Sequence, residues 1–221
     1  GITNVEGGLK LTGSGTKTFA DRTLNVAGES EFSGGAMNMV PSSTTSAVLT
    51  NNGTFDLKGD FAINDANGAG RSLAFNNVGT LVKSGGTGDV AWFAKLNLLS
   101  ADIVSIEEGR GTLTASQGGT VSGTNVRLNG NTLRYTGGTL TFDNDSRITG
   151  TGTLEVAGAT GQVVTSAIAN VQTFKLSSGT FNGAGTFNVM GSMTWTGGTL
   201  TGGGITNVEG GLKLTGSGTK T

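Results

Sequence analysis

Several residue types on which enzymes and metal sites depend are missing from this chain. It contains no cysteine and no histidine. It therefore cannot form a disulfide, a thiolate metal site, a Cys-His nucleophile system or a Ser-His-Asp triad. We expect no enzymatic activity and no cofactor. The lack of cysteine is compatible with the cytoplasm, and it also suits a bacterial surface protein, because thiols are oxidised in the periplasm during export.

Charge and long apolar runs are scarce as well. The 14 Lys and Arg residues and the 15 Asp and Glu residues make up 13% of the chain, and like charges do not form blocks. This distribution argues against a nucleic-acid-binding stripe or a polybasic membrane patch. No run approaches the roughly 20 apolar residues of a membrane-spanning helix. We expect neither a nucleic-acid partner nor membrane insertion of this segment.

Glycine, threonine and asparagine are abundant instead. Of the 221 residues, 41 are Gly, 35 are Thr and 18 are Asn. The glycine content is well above the average of about 7%, but the strict Gly-X-Y period of collagen is absent. A hydrophobic content of 34% with a net charge of -1 is also unlike a charged disordered chain. The composition therefore indicates a packed all-β structure.

The two ends of the chain carry the same sequence. Residues 1–18 read GITNVEGGLKLTGSGTKT, and residues 204–221 repeat these letters without change. A fixed long period is typical of repeat architectures. We predict that residues 1–203 are one complete β-solenoid unit and that residues 204–221 begin the next identical unit of a longer array. In that array Phe-Ala-Asp-Arg would follow Thr221, as it follows Thr18, and a gene that continues otherwise would contradict this.

A shorter motif recurs inside the unit: an apolar residue, any residue, a second apolar residue, any residue, then Gly. Its alternation points two apolar side chains to the core and the side chain between them to solvent. The final Gly can adopt the positive φ that a corner between short strands requires. From Leu9 to Leu212 the copies and looser relatives give nine steps in 203 residues, a mean of about 22 to 23 residues. The predicted corner glycines are Gly13, Gly28, Gly59, Gly130, Gly158, Gly191 and Gly216. These features predict a single-stranded parallel β-solenoid with irregular coils of about 22 residues.

Two stretches lack glycine. In residues 89–108, the alternation of Ala94, Leu96 and Leu98 with polar residues, followed by Val104 and Ile106, predicts a strand pair, with a buried helix as the alternative. The turn between the strands is predicted at residues 100–102. Residues 36–52 contain the only proline, and we predict a loop that leads into a strand at residues 47–49 and forms the main bulge from the solenoid.

Three segments carry a resemblance to a known group of proteins. GGLKLTGSGTKTF, YTGGTLTFDNDSRITGTGTLEVAG and WTGGTLTGG resemble the β-strand repeats of bacterial autotransporter passengers and filamentous-haemagglutinin-like adhesins. The resemblance implies a secreted, right-handed parallel β-helix on the bacterial cell surface that serves adhesion, aggregation or fibre formation. The expected partners are further copies of the same unit, joined end to end or in tandem, and a cell-surface or extracellular polysaccharide.

Two other classes of function have candidate residues. Asp143 and Asp145, followed by Arg147, are the best carboxylate candidates for a carbohydrate-active site. Trp92, Tyr135 and Trp195 are candidates for a sugar-stacking platform, with structural packing as the favoured interpretation. Thr-any-Thr steps, which ice-binding solenoids present as flat rows, begin at Thr16, Thr112, Thr139, Thr149, Thr194 and Thr199. Their spacing does not place one step in each coil, so cross-strand threonine packing is a sufficient explanation.

Two acidic segments have simpler explanations. Residues 85–89, Gly-Gly-Thr-Gly-Asp, are similar to a glycine-rich calcium-binding nonapeptide, in which backbone carbonyls and an Asp hold the ion on successive turns. Here the Asp falls one position early and the segment occurs once, so we predict a turn and no metal site. Glu107 and Glu108 are predicted to be the solvated end of a strand.

Overall fold

The computed structural model describes residues 1–42, 45–66, 73–99, 103–143, 146–165 and 168–221. The chain is all-β, with three parallel sheets and coils stacked about 21 residues apart in a solenoid of about nine turns. None of the described residues lies in a helix. The predicted all-β parallel solenoid is therefore confirmed. In the described ranges no helix is long and apolar enough to cross a bilayer.

Each coil contributes three short strands. The first coils contain β1 (Ile2–Val5), β2 (Lys10–Leu11), β3 (Lys17–Ala20), β4 (Thr23–Val26), β5 (Glu29–Phe32), β6 (Met37–Val40), β7 (Ala47–Asn51), β8 (Thr54–Lys58) and β9 (Ala62–Asp65). The middle coils contain β10 (Leu73–Asn77), β11 (Thr80–Gly85), β12 (Val90–Trp92), β13 (Lys95–Leu98), β14 (Ile103–Ile106), β15 (Thr112–Ala115), β16 (Gly118–Ser122), β17 (Asn125–Leu128) and β18 (Thr132–Tyr135). The last coils contain β19 (Thr139–Asp143), β20 (Arg147–Thr149), β21 (Thr153–Thr165), β22 (Ile168–Val171), β23 (Phe174–Gly183), β24 (Thr186–Val189), β25 (Met193–Trp195), β26 (Thr199–Thr201), β27 (Ile205–Val208) and β28 (Leu212–Leu214).

The strands form three faces, each a ladder of parallel pairs. Face 1 consists of β1, β4, β7, β10, β13, β16, β19, residues 162–165 of β21, residues 180–183 of β23, and β26. Face 2 consists of β2, β5, β8, β11, β14, β17, β20, β22, β24 and β27. Face 3 consists of β3, β6, β9, β12, β15, β18, residues 153–156 of β21, residues 174–176 of β23, β25 and β28. The long strands β21 and β23 each turn from face 3 into face 1.

The core is a continuous apolar column inside the three faces. On face 3, Trp92, Ala115 and Tyr135 occupy the same register position in successive coils, so a small residue separates two large ones. Phe187 of face 2 lies with its ring centroid 5.1 Å from that of Phe174 and 4.6 Å from that of Phe181. This packing of side chains from all three faces gives the short strands the buried area that none has alone.

The glycine-free stretches differ in how well they were predicted. Strands β12, β13 and β14 confirm strand structure in residues 89–108 and exclude the helical alternative for the described part, while the predicted turn at residues 100–102 lies outside the described residues. Strand β7 confirms the strand after Pro41. The predicted loop before it is wrong in part, because residues 37–40 form β6, in which Met37 and Met39 are buried. The two methionines fill the core of face 3, and the loop begins only at Pro41.

The predicted corner glycines fall into two groups. Gly13, Gly28, Gly130 and Gly216 have φ values between 66° and 77°, in the left-handed region that favours glycine. Gly59, Gly158 and Gly191 do not have positive φ values. Gly158 lies within β21, where a Cβ atom would clash with the backbone oxygen of Thr136 in the preceding coil. There the lack of a side chain permits close stacking of two coils.

Candidate functional surfaces

The predicted carboxylate site is only partly within the described residues. Asp143 ends β19 on face 1 and is half-buried, and its backbone oxygen accepts a hydrogen bond from Ser146 Oγ at 2.5 Å. Arg147, its predicted basic partner, lies exposed in β20 on face 2. Asp145 lies outside the described residues. The described geometry therefore separates Asp143 and Arg147 onto neighbouring faces.

The predicted aromatic platform is divided between core and surface. Trp92 and Tyr135 are each 1% exposed and belong to the core column of face 3. Burial raises the pKa of the Tyr135 hydroxyl far above its usual value. Trp195 occupies the same column nearer the end of the stack, is half-buried and donates its indole N–H to the Gly198 oxygen at 3.2 Å. Since two of the three rings are in the core, they cannot stack together on a sugar.

The Thr-any-Thr steps are distributed among the faces. Thr112 and Thr114 lie on face 3, while Thr139 and Thr141 lie on face 1. The pair Thr199 and Thr201 is also on face 1, but three coils further along the stack. These steps do not form one uninterrupted flat array.

A polar row nevertheless runs along the outside of face 1. Its described members are short polar side chains at equivalent register positions: Asn4, Asn25, Thr50, Asn76, Asn97, Thr120, Thr141, Asn182 and Thr201. Its amides bond along the stack, with Asn97 Nδ2 donating to Asn76 Oδ1 at 2.8 Å and Asn25 Nδ2 donating to Asn4 Oδ1 at 2.8 Å. The row therefore supports stacking by hydrogen bonds that link one coil to the next.

The glycine-rich segment at residues 85–89 wraps around an acidic side chain from the preceding coil. The carboxylate of Asp60 accepts hydrogen bonds from the backbone N–H groups of Thr87 at 3.1 Å and Gly88 at 2.9 Å. It also pairs with Nζ of Lys83, which is 1% exposed, at 3.1 Å. Burial acts to raise the pKa of Asp60, but these hydrogen bonds and the lysine charge outweigh it, so the pKa is lowered.

Sequence reasoning did not identify Asp60, because its partners are more than twenty residues away. If the sequences of successive coils are aligned strand against strand, Asp60 falls one coil before the glycine-rich segment. Asp89 itself is exposed. The described residues hold no group of three or more carboxylates that could bind a metal ion.

A second charged cluster lies on the outside of face 3. Arg134, Glu155 and Lys175 are register neighbours on three successive coils. Glu155 contacts Arg134 Nε at 2.9 Å and Lys175 Nζ at 2.8 Å, and it accepts a hydrogen bond from Ser177 Oγ at 2.6 Å. Burial acts to raise the pKa of Glu155, but its three donors overcome this effect and lower the pKa to about 2. Two cations thus hold one carboxylate across three coils.

The last coil of the stack exposes inward-facing apolar side chains of a kind that the coil before it covers. Leu212 and Leu214 are 51% and 59% exposed, whereas their register neighbours Met193 and Trp195 are buried and half-buried. Ile205 is also exposed, but it points outward, as does Ile168 at the same register position in an interior coil. The strands at the two ends, β1, β27 and β28, have a ladder partner on one side only. An open parallel edge of this kind is a template for pairing with a further strand.

Comparison of the chain with protein-family profiles, with curated proteins and with solved structures gave no match.

Proposed function

We propose that this chain is a structural and adhesive repeat of an extracellular bacterial surface filament, without enzymatic activity, and that its partner is another copy of the same unit. The observation that carries the proposal is the stacking of the repeated 18 residues. In the first copy, β1 pairs with β4 of the following coil. In the second copy, the identical strand β27 pairs with β24 of the preceding coil. One segment therefore accepts a coil on either side.

The backbone groups of the repeated segment fit this double role. The Gly1 oxygen accepts a hydrogen bond from Thr23 N at 2.9 Å, while Ile205 N, one residue after the corresponding Gly204, donates to the Gly185 oxygen at 3.0 Å. Of these two groups, the carbonyl oxygen of the glycine faces the following coil and the amide of the isoleucine faces the preceding coil. A following unit would pair with the open edge of the last coil and would cover the inward-facing Leu212 and Leu214. Continuation of the stack thus removes the edge and the apolar surface together.

The other two classes of function have weaker support. An ice-binding surface needs a regular array, whereas the Thr-any-Thr steps lie on different faces. A sugar-binding platform needs exposed aromatic rings, whereas Trp92 and Tyr135 are buried. The outer polar row and the face-3 charge cluster both use their polar groups to join coils, as expected of a filament.

A chain with two tandem units tests the proposal. Residues 1–203 followed by residues 1–221 should form one straight rod, because each unit adds about nine coils at about 4.8 Å, or roughly 45 Å. Electron microscopy and solution scattering should show that rod, and Val208→Asp at the junction, where the side chain points inward, should bend or divide it. Val78→Asp, at an exposed position, is the matched control. Two particles joined by a flexible connection in the unsubstituted chain would contradict continuation of the stack.

The location and the passive role need separate measurements. Antibodies against the chain should label intact cells of the producing bacterium, and protease added to those cells should remove the label. The purified two-unit rod should show no thermal hysteresis and should not depolymerise polysaccharides. Thermal hysteresis, or depolymerisation that Asp143→Asn abolishes, would replace the structural role with one of the two alternatives.

A further inference from the structure

The two copies of the repeated segment lie on different faces of the solenoid. The strand Ile-Thr-Asn-Val is β1 on face 1 in the first copy and β27 on face 2 in the second. The strand Leu-Lys-Leu contributes β2 on face 2 in the first copy and β28 on face 3 in the second. Lys17 begins β3 on face 3, while the equivalent Lys220 is bridged to Gly198, which leads into β26 on face 1. All three positions have moved by one face in the same direction.

The number of strands in the unit accounts for this displacement. Residues 1–203 contain β1 to β26, and β21 and β23 each serve two faces, so the described part of the unit holds 28 strand segments. Every coil uses three segments. The unit therefore closes after nine and one third coils, one segment beyond a whole number. The ladders on each face run from coil to coil across the undescribed ranges, so the count does not depend on them.

The side chains at the boundary fit the displaced arrangement. Asn207 Nδ2 donates to Asn188 Oδ1 at 2.8 Å, and Asn188 Nδ2 donates to Asn170 Oδ1 at 2.9 Å, so each amide donates toward the preceding coil. In the first copy, Asn4 Oδ1 accepts from Asn25 in the following coil. The same asparagine can therefore donate backward and accept forward at once. Asn170, Asn188 and Asn207 form an amide row on face 2, and this row would continue without a break into the outer polar row of the next unit.

We infer that the open end of this stack binds the first coil of an identical unit, and that the second unit is rotated about the solenoid axis by one third of a turn relative to the first. This rotation is additional to any twist of the stack itself. This rests on the proposed function, since it describes how tandem units join. Three units then complete 28 whole coils, and only the fourth unit returns to the first orientation. Every outer feature of the unit, including the Arg134–Glu155–Lys175 cluster, is displayed on three sides of the filament. A ligand for any one surface would find it at three angles around the axis.

Cysteine pairs in the 221-residue chain test the displacement, because the chain has no cysteine of its own. Register neighbours in adjacent coils are about 4.8 Å apart, within the Cα separation that a disulfide allows. The pair Asn188→Cys and Asn207→Cys should form a disulfide under mild oxidation, detected by loss of two thiols and by peptide mass. The alternative is an in-phase arrangement, in which the unit closes after a whole nine coils and the next unit begins on the same face. In that arrangement β27 would return to face 1, and Asn182→Cys with Asn207→Cys would cross-link.

A second set of pairs guards against a variant that fails to fold. Thr194→Cys with Lys213→Cys should cross-link on face 3, whereas Asn188→Cys with Lys213→Cys should do so only in the in-phase arrangement. Asn4→Cys with Asn25→Cys is the positive control on face 1. Cross-linking of either in-phase pair, or failure of both displaced pairs while the control forms, would overturn the inference. An in-phase unit could still build a straight two-unit rod, so this result and the rod test fail independently.

Discussion

The carboxylate of Glu155 gives the most specific prediction about stability. Its side chain is 7% exposed between two cations on adjacent coils, and its pKa is lowered from 4.5 to about 2. A lowered pKa in the folded state contributes stability above the unfolded pKa, and this contribution is lost as the pH falls through the folded pKa. The relevant window is therefore pH 5 to pH 2. A difference of about 2.5 pKa units corresponds to about 3 kcal/mol.

The measured effect should be smaller than this value. The side chains of Arg134 and Lys175 are 36% and 40% exposed, so solvent screens both ion pairs. We expect Glu155→Gln to lower the free energy of unfolding by about 1 to 3 kcal/mol at pH 7. At pH 2, near the folded-state pKa, about half of the wild-type Glu155 carboxyl groups are protonated in the folded protein, and most of the difference between the two proteins should be lost.

Urea unfolding followed by circular dichroism at pH 7, 5, 4, 3 and 2 measures this convergence. Other carboxylates also titrate in this range, so the informative quantity is the difference between wild type and variant at each pH. Glu107→Gln, at an exposed carboxylate beyond the end of β14, is the matched control and should parallel the wild type throughout. A Glu155→Gln difference that stays constant from pH 7 to pH 2 would refute the role assigned to the cluster.

Two further predictions concern the core. Phe187→Ala should lower the free energy of unfolding by about 3 to 5 kcal/mol, because the Phe187 ring contacts Phe142, Phe174 and Phe181. Urea unfolding measures this change. A cost below about 1 kcal/mol would show that the last coils are loosely packed. Tyr135→Phe should raise the free energy of unfolding by about 1 kcal/mol, because its buried hydroxyl has no hydrogen-bond partner among the described residues. A marked loss of stability in Tyr135→Phe would mean that the hydroxyl is satisfied in solution.

Local alternation was enough to predict the fold class but not the position of each strand on the solenoid. In Leu154-Glu155-Val156, the pattern correctly predicts which two side chains face inward. However, the copies of the motif lie on all three faces: Leu24 on face 1, Phe55 on face 2 and Leu154 on face 3. The motif marks a strand end wherever a corner follows. Its mean step approaches the coil length only because the number of steps, nine, is close to the number of coils in the unit.

Contacts between coils could not be predicted from local sequence. Glu155 was predicted to be a solvent-facing residue, and it does point outward, but Arg134 and Lys175 cover it from the two neighbouring coils. To recognise these ion pairs, one must know which residues of neighbouring coils lie side by side. That register depends on the number of residues in each corner between strands. Equivalent positions are 18 residues apart between residues 164 and 182 but 26 apart between Thr50 and Asn76. No fixed period in the sequence would align them.

The displacement of the repeated segment also explains why its strands are so simple. Ile-Thr-Asn-Val must pack on face 1 in one copy and on face 2 in the other, so its inward side chains cannot be shaped for one neighbour. Thr and Val are small and β-branched, and they suit any pleated surface. Larger aromatic residues such as Phe75 and Trp92 lie in the middle coils, away from the boundary, where each has a fixed set of neighbours. A unit that closed after a whole number of coils would be free to place large, face-specific residues at its junction.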